Sequence, residues 1–188
     1  IQRICKITKR KFVLIKGSGV DLDYYKPTKK LEISYKILFA SRLLKSKGLL
    51  EFIDAAKDLS SKNVRFLVAG ILDQDNPDCV SLEKIKYWES RGIIDFYGYI
   101  KNMKDLINKS DIVVLPSYYG EGLPKILIEA AACGKPVITT DHQGCRDALI
   151  PNKTGILIPP RNSKALIFAL KKLLKSPNLC DKMGKAGR

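Results

Sequence analysis

The sequence predicts an α/β fold, a Rossmann-like doubly wound parallel sheet, and three observations carry that prediction. Short apolar runs alternate with longer amphipathic stretches along most of the chain, the order that yields right-handed βαβ units. The runs are continuous rather than alternately apolar and polar, as strands covered by helices on both faces require. With 188 residues, 45% of them apolar and 28% charged, the chain has the length of one domain and enough apolar material for one core.

The elements follow in order. Lys36–Ala40 (KILFA) reads as the first strand. Gly48–Leu59 then carries Leu49, Leu50, Phe52, Ile53, Ala56 and Leu59 at helical spacing. Val64–Ala69 is the second strand, ending at Gly70. Val80–Glu89 reads as a helix, Ile93–Tyr97 as the third strand, and Met103–Asn108 as a short helix. Asp111–Leu115 is the fourth strand, stopped by Pro116. Pro124–Cys133 is a helix with proline in its first turn, where the missing N–H costs nothing, and Gly134 suits the position just past its end. Pro136–Thr140 and Gly155–Ile158 are the fifth and sixth strands, the latter closed by Pro159-Pro160. Ala165–Leu174 is an amphipathic helix, with a further short one after Pro177. Residues 1–35 are basic, with one strand-like run at Phe12–Ile15, and read as a lead-in or interdomain segment ahead of a domain at residues 36–188.

The formal charge is +15, from 34 Lys and Arg against 19 Asp and Glu. Residues 1–50 carry a net +10, residues 51–163 a net −1 and residues 164–188 a net +6. Two basic ends around a neutral middle suggest edges that meet an anionic or neighbouring surface. The five cysteines form no CxxC pair, so neither a disulfide framework nor a zinc site is expected, and a reduced, cytosolic compartment fits. No apolar run reaches 18 residues, which excludes a spanning helix. The first residue is Ile and no signal peptide is visible, so the sequence is expected to be a piece of a longer protein.

The most informative stretch is PSYYGEGLPKILIEAAACG, residues 116–134. A strand ends, a glycine-bearing loop follows, and a helix begins. Free N–H groups at Gly122, Leu123 and Lys125, next to Pro124, make an anion site, and Gly122 allows close approach. Glu121 stands in that loop and Glu129 lies one to two turns into the helix. Two carboxylates beside an anion site suit a ligand carrying both phosphate and hydroxyls. The plainer alternative makes Glu121 a helix-dipole partner and Glu129 a solvated residue. On residue type alone that alternative is favoured. Glu129 weakens it, because it sits among Ile126, Leu127, Ile128 and Ala130–Ala132 and needs a partner there. A second constellation, ASRLLKSKG at residues 40–48, places Arg42 and Lys47 at the same sheet edge. A guanidinium fork and an ammonium there suit a diphosphate leaving group. As mere surface cations they would oppose the dipole of the helix that follows.

Other signals are weaker. Gly17-Ser18-Gly19 begins a dinucleotide fingerprint, but Leu22 occupies its third glycine position. Asp21-Leu22-Asp23 and Asp73-Gln74-Asp75 are DxD tripeptides among turn formers, read as solvated loop acids. His142, the sole histidine, has no nucleophile motif nearby and reads as a loop residue near the cleft. Tyr118-Tyr119 reads as local packing beside a proline.

With these residues in place, the chain resembles the nucleotide-sugar-binding C-terminal domain of GT-B-fold glycosyltransferases of the group 1, GT4-like type. The resemblance runs from about Gly17 to Arg188 on GSGVDLDYY, SRLLKSKG, LPSYYGEGLPKILIEAAACGKPVITT, GCRDALIPNKTGILIPP and MGKAGR. The set in this order is specific, whereas any one piece is not. It implies that Glu121 contacts the transferring sugar and Glu129 the ribose, the two matching the family's E-x7-E pair. Arg42 and Lys47 would grip the donor diphosphate and act with Glu121 in catalysis. The helix-start loop, Gly122, Leu123, Pro124 and Lys125, would assist at sugar and phosphate, and Tyr99 and Ile100 would lie against the base. Leu123-Pro124 stands where some members have Phe-Gly.

The resemblance further implies a hexosyltransferase that retains anomeric configuration and uses no metal and no cofactor. The donor would be a UDP-sugar and the acceptor a saccharide or lipid-linked molecule. GSGVDL and GCRD look most like enzymes of bacterial capsule or lipopolysaccharide assembly. The acceptor-binding N-terminal domain of such enzymes is absent from this sequence, so the chain is expected to bind donor without transferring sugar alone. The location expected is the cytoplasm, with peripheral contact to the anionic inner face of the membrane. Two alternatives remain. One is a Rossmann-type nucleotide-binding domain without chemistry. The other is a basic nucleic-acid-binding module, which the neutral middle of the chain disfavours.

Overall fold

Among the described residues, six parallel strands form one sheet in the order β3-β2-β1-β4-β5-β6. They are β1 (Tyr35–Ala40), β2 (Val64–Ala69), β3 (Asp95–Phe96), β4 (Ile112–Leu115), β5 (Val137–Thr140) and β6 (Gly155–Ile158). The helices between and after them are α1 (Leu49–Leu59), α2 (Leu82–Ser90), α3 (Met103–Lys109), α4 (Lys125–Ala132), α5 (Ser163–Leu174) and α6 (Pro177–Gly187). The computed structural model describes residue 17, residues 19–28 and residues 34–188. The expected strand at Phe12–Ile15 lies outside them. Among the described residues, no helix is long and apolar enough to cross a membrane.

The apolar runs became strands because helices cover both faces. Ile37 pairs in register with Phe66 on one side and Ile112 on the other. Ile37, Leu38 and Phe39 have no solvent exposure. Phe39, Phe52 of α1 and Phe66 stack in sequence, with ring centroids 5.4 and 5.2 Å apart. α1 packs along α5, and α6 returns across the sheet to pack on α4. Asp111 does not enter β4. Its N–H donates to the Lys36 carbonyl at 2.7 Å and its carboxylate accepts the Lys36 N–H at 2.6 Å, setting the β1–β4 register.

The third strand is two residues long rather than the five expected. It is an edge strand with one neighbour, and the left-handed Gly98 turns the chain away after Tyr97. Pro124 caps α4 in an extended conformation (φ −66°, ψ 123°) instead of lying in its first turn. The last helix is not short: α6 runs 11 residues from Pro177. Two 3-10 turns, Lys45–Lys47 and Arg146–Ala148, were not foreseen.

The four described cysteines are free thiols. Cys180 of α6 lies under the Leu173 carbonyl at 3.3 Å, and burial, with the charge of Asp111, pushes its thiol up to about 11. The unfolded chain would release that proton near pH 9 while the folded chain keeps it. The stability is therefore full below pH 9 and lost as the pH rises to 11, by about 2–3 kcal/mol. Thermal melts between pH 8 and 11 are expected to show that loss, and Cys180→Ala should flatten it.

Candidate functional site

The sheet order reverses direction between β1 and β4, where open α/β sheets bind ligands beyond the strand carboxyl ends. Both sequence constellations leave the sheet there. The loop after β1 is held to the loops after β2: Ser41 N–H donates to the Ala69 carbonyl, Leu43 N–H to Ile71, and Lys45 N–H to Asp78. It then tightens into the 3-10 turn and ends at Gly48 in the left-handed conformation, φ 80°. The loop after β4 joins it directly, since the Tyr118 N–H donates to the Ser46 carbonyl at 2.8 Å.

This joining brings Lys47 and Glu121 together across 74 residues of sequence. Lys47 Nζ lies 2.6 Å from Glu121 Oε1, and the two side chains are 7% and 22% exposed. Ser117 Oγ donates to the same carboxylate oxygen at 3.1 Å. Arg42 pairs with Asp73, Nη1 to Oδ2 at 2.8 Å, one acid of the DxD tripeptide read as solvated. That reading is corrected for Asp73, which is half-buried and committed to Arg42. Asp21 instead accepts the N–H groups of Asp23 and Tyr24 in a local turn. The cations at the α1 start are thus balanced by carboxylates of neighbouring loops.

Tyr119 was expected to pack locally, and the structure corrects this. Its ring centroid lies 4.5 Å from Lys47 Nζ and 5.3 Å from the Arg42 guanidinium carbon. A hydrogen bond to Tyr119, with the contact to Asp73, raises the Arg42 guanidinium further above its ordinary range. Tyr118 faces Arg161, whose guanidinium carbon is 4.5 Å from its ring.

Beside this cluster lies a pocket of about 260 Å³, lined by Arg42, Tyr99, Ile100, Ile126 and Glu129 among others. Ala40, Ala69 and Gly70, at the ends of β1 and β2, form part of its wall. Four residues chosen from sequence therefore share one cavity, which adjoins the Lys47–Glu121 pair through Arg42 and Tyr119. Tyr25 lies near Glu129. Burial, then the charge of Glu129 and a hydrogen bond to it, push the Tyr25 phenol up to about 12. Arg188 pins that segment, donating to the Tyr25 and Leu22 carbonyls and to the Ala132 carbonyl at the end of α4. Gly122 and Lys125 are exposed at the helix start, Leu123 packs against Gly17, and Pro124 is buried.

Sequence reading did not find Gly144. A Cβ there would stand 2.3 Å from the Gly122 carbonyl oxygen and 2.5 Å from that of Glu121, at φ 82°. The loop after β5 thereby supports the Glu121 loop from below. His142 lies two residues earlier, half-buried, its Nδ1 without a partner among the described residues.

Comparison with known proteins places these features. The family model described as glycosyl transferases group 1 matches residues 23–188. A curated relative, the N,N'-diacetylbacillosaminyl-diphospho-undecaprenol alpha-1,3-N-acetylgalactosaminyltransferase of Campylobacter jejuni, is 31% identical over 186 residues, covering 92% of this chain and 48% of that protein. Among solved structures, the C-terminal domain of the glycosyl transferase group 1 family protein LpcC from Francisella tularensis superposes with a TM-score of 0.75 at 24% identity, covering 90% of this chain and 94% of that one. Anabaena HepE, solved with UDP and glucose, superposes with a TM-score of 0.78 at 19% identity, covering 90% of this chain and 49% of that one. The chain spans about half the length of the curated relative it matches.

Proposed function

The chain belongs to the group 1 glycosyl transferases, and from that premise we propose that it is the donor-binding domain of a retaining enzyme that moves a hexose from a UDP-sugar to a lipid-linked saccharide. The observation that carries the reading is the convergence of Arg42, Lys47, Glu121 and Glu129, from two loops and a helix, at the reversal point of the sheet. The pocket takes the nucleoside, with its base against Tyr99 and Ile100 and its ribose hydroxyls on Glu129. The diphosphate lies toward Arg42 and Lys47 and the helix-start N–H groups of Gly122 and Leu123. Glu121, already held on one oxygen by Lys47 and Ser117, takes a sugar hydroxyl.

As the anomeric C1–O bond breaks, negative charge grows on the leaving diphosphate, where fixed cations in a sheltered site are most effective. The acceptor oxygen bonds to C1, and its proton leaves with the nucleoside diphosphate. Two fixed cations supply the charge that a divalent metal would otherwise bring, so no metal is assigned. The lipid-linked acceptor follows the relative from Campylobacter, whose own acceptor is named as a diphospho-undecaprenol. It also fits a cytoplasmic enzyme that works against an anionic membrane face in surface-polysaccharide assembly. Acceptor binding and turnover are assigned to a second domain.

Calorimetry with uridine diphosphate and uridine tests the reading. Arg42→Ala and Lys47→Ala are expected to weaken the diphosphate at least tenfold each, as loss of a charge-assisted contact does, and to weaken uridine far less. Equal affinities in wild type and both variants would remove the diphosphate assignment. Steep, salt-dependent binding of DNA or RNA would favour the nucleic-acid alternative instead.

A further inference from the structure

Arg42 and Lys47 come from the loop after β1, yet the group between them comes from the loop after β4. The Tyr119 ring is half-buried, with Lys47 Nζ 4.5 Å and the Arg42 guanidinium carbon 5.3 Å from its centroid. Its backbone is anchored: the Tyr119 N–H donates to Ser117 Oγ at 3.2 Å, and Ser117 Oγ donates to Glu121 at 3.1 Å. The ring position is therefore tied to the carboxylate that holds Lys47.

Two cations close enough to share one diphosphate repel each other before it arrives. Each is also a long side chain that loses rotamer freedom when held. Asp73 relieves only Arg42, and Glu121 only Lys47. The negative face of an aromatic ring attracts both cations at once, and Tyr119 is the ring they share.

We infer that Tyr119 is a positioning residue, whose ring sets Arg42 and Lys47 at the spacing that grips the donor diphosphate. The inference rests on the donor-site reading above, and the test separates the two. Tyr119→Leu keeps much of the side-chain volume and removes the ring, whereas Tyr119→Phe keeps the ring and removes the hydroxyl. Against uridine diphosphate, Tyr119→Leu is expected to lose about five- to tenfold in affinity. Tyr119→Phe should stay within about threefold, because only the hydroxyl contact to Arg42 is lost. Neither should change uridine binding, which a general packing defect would. Tyr119→Met replaces the leucine variant if that one fails to fold.

The inference is overturned if the ringless variant binds uridine diphosphate as wild type does, or if Tyr119→Phe falls as far as the ringless variant. Arg42→Ala and Lys47→Ala are run in the same series. If they leave the diphosphate affinity unchanged, the donor-site reading fails and Tyr119 with it. If they weaken it and the ringless variant does not, only the role of Tyr119 fails.

Discussion

Gly48→Ala is expected to destabilise the domain by about 2–4 kcal/mol and to weaken uridine diphosphate binding at least tenfold. Gly48 ends the 3-10 turn that carries Lys47 and serves as the N-cap of α1, with φ 80° and ψ 21°. A side chain in that left-handed conformation alone costs about 1–2 kcal/mol. Steric conflict adds more. A Cβ would stand 2.2 Å from the Pro116 carbonyl oxygen and 2.5 Å from its carbon. Pro116 follows β4 without a break and is buried, so it has no room to retreat. The strain is relieved only by parting the loops after β1 and β4, and that movement separates Lys47 from Glu121. Structure and site are thus lost together, unlike at an ordinary core position. Urea unfolding gives the first quantity and calorimetry the second. A Gly48→Ala protein with wild-type stability would refute the close approach.

The fold was readable because its signal is redundant. The central strands carry apolar runs such as ILFA and IVVL, as covering by helices on both faces requires. What escaped was set by neighbours rather than by pattern. β3 is short because it has a partner on one side only, and residues 93–97 do not encode their place at the edge. In the candidate site, Glu121 and Glu129 stood out through a loop-to-helix boundary and a charge within an apolar helix, although residue type alone favoured a helix-dipole partner and a solvated residue. Their partners were not. Lys47 meets Glu121 across 74 residues, Arg42 meets Asp73 across 31, and Tyr25 reaches Glu129 from a segment read as a lead-in. A DxD tripeptide looks the same whether it is solvated or pinning an arginine. Tyr119 looked like packing because the cations that give its ring a task lie far earlier in the chain. Gly144 carries no signal in itself, since a close approach of two backbones leaves no trace in residue type at the other loop.

Lys47→Met is expected to destabilise the domain by about 1–3 kcal/mol, and Lys47→Met combined with Glu121→Gln to recover most of that loss without recovering donor binding. Removing one member of a sheltered ion pair strands the other charge, which costs more than the pair contributes. The 22% exposure of the Glu121 side chain lets water relieve part of the penalty, hence the lower range. Glutamine in place of Glu121 removes the stranded charge and still accepts the Ser117 hydroxyl. A pair kept for stability alone would be replaceable in this way at no functional cost. A pair kept for the donor would not, because the ammonium that neutralises the diphosphate is gone in both variants. Urea unfolding and calorimetry with uridine diphosphate separate these cases. A double variant as unstable as Lys47→Met would show that the pair is not what its loss disturbs. A double variant that binds the diphosphate as wild type does would release Lys47 from the donor site and leave Arg42 as the cation to which the leaving group must be assigned.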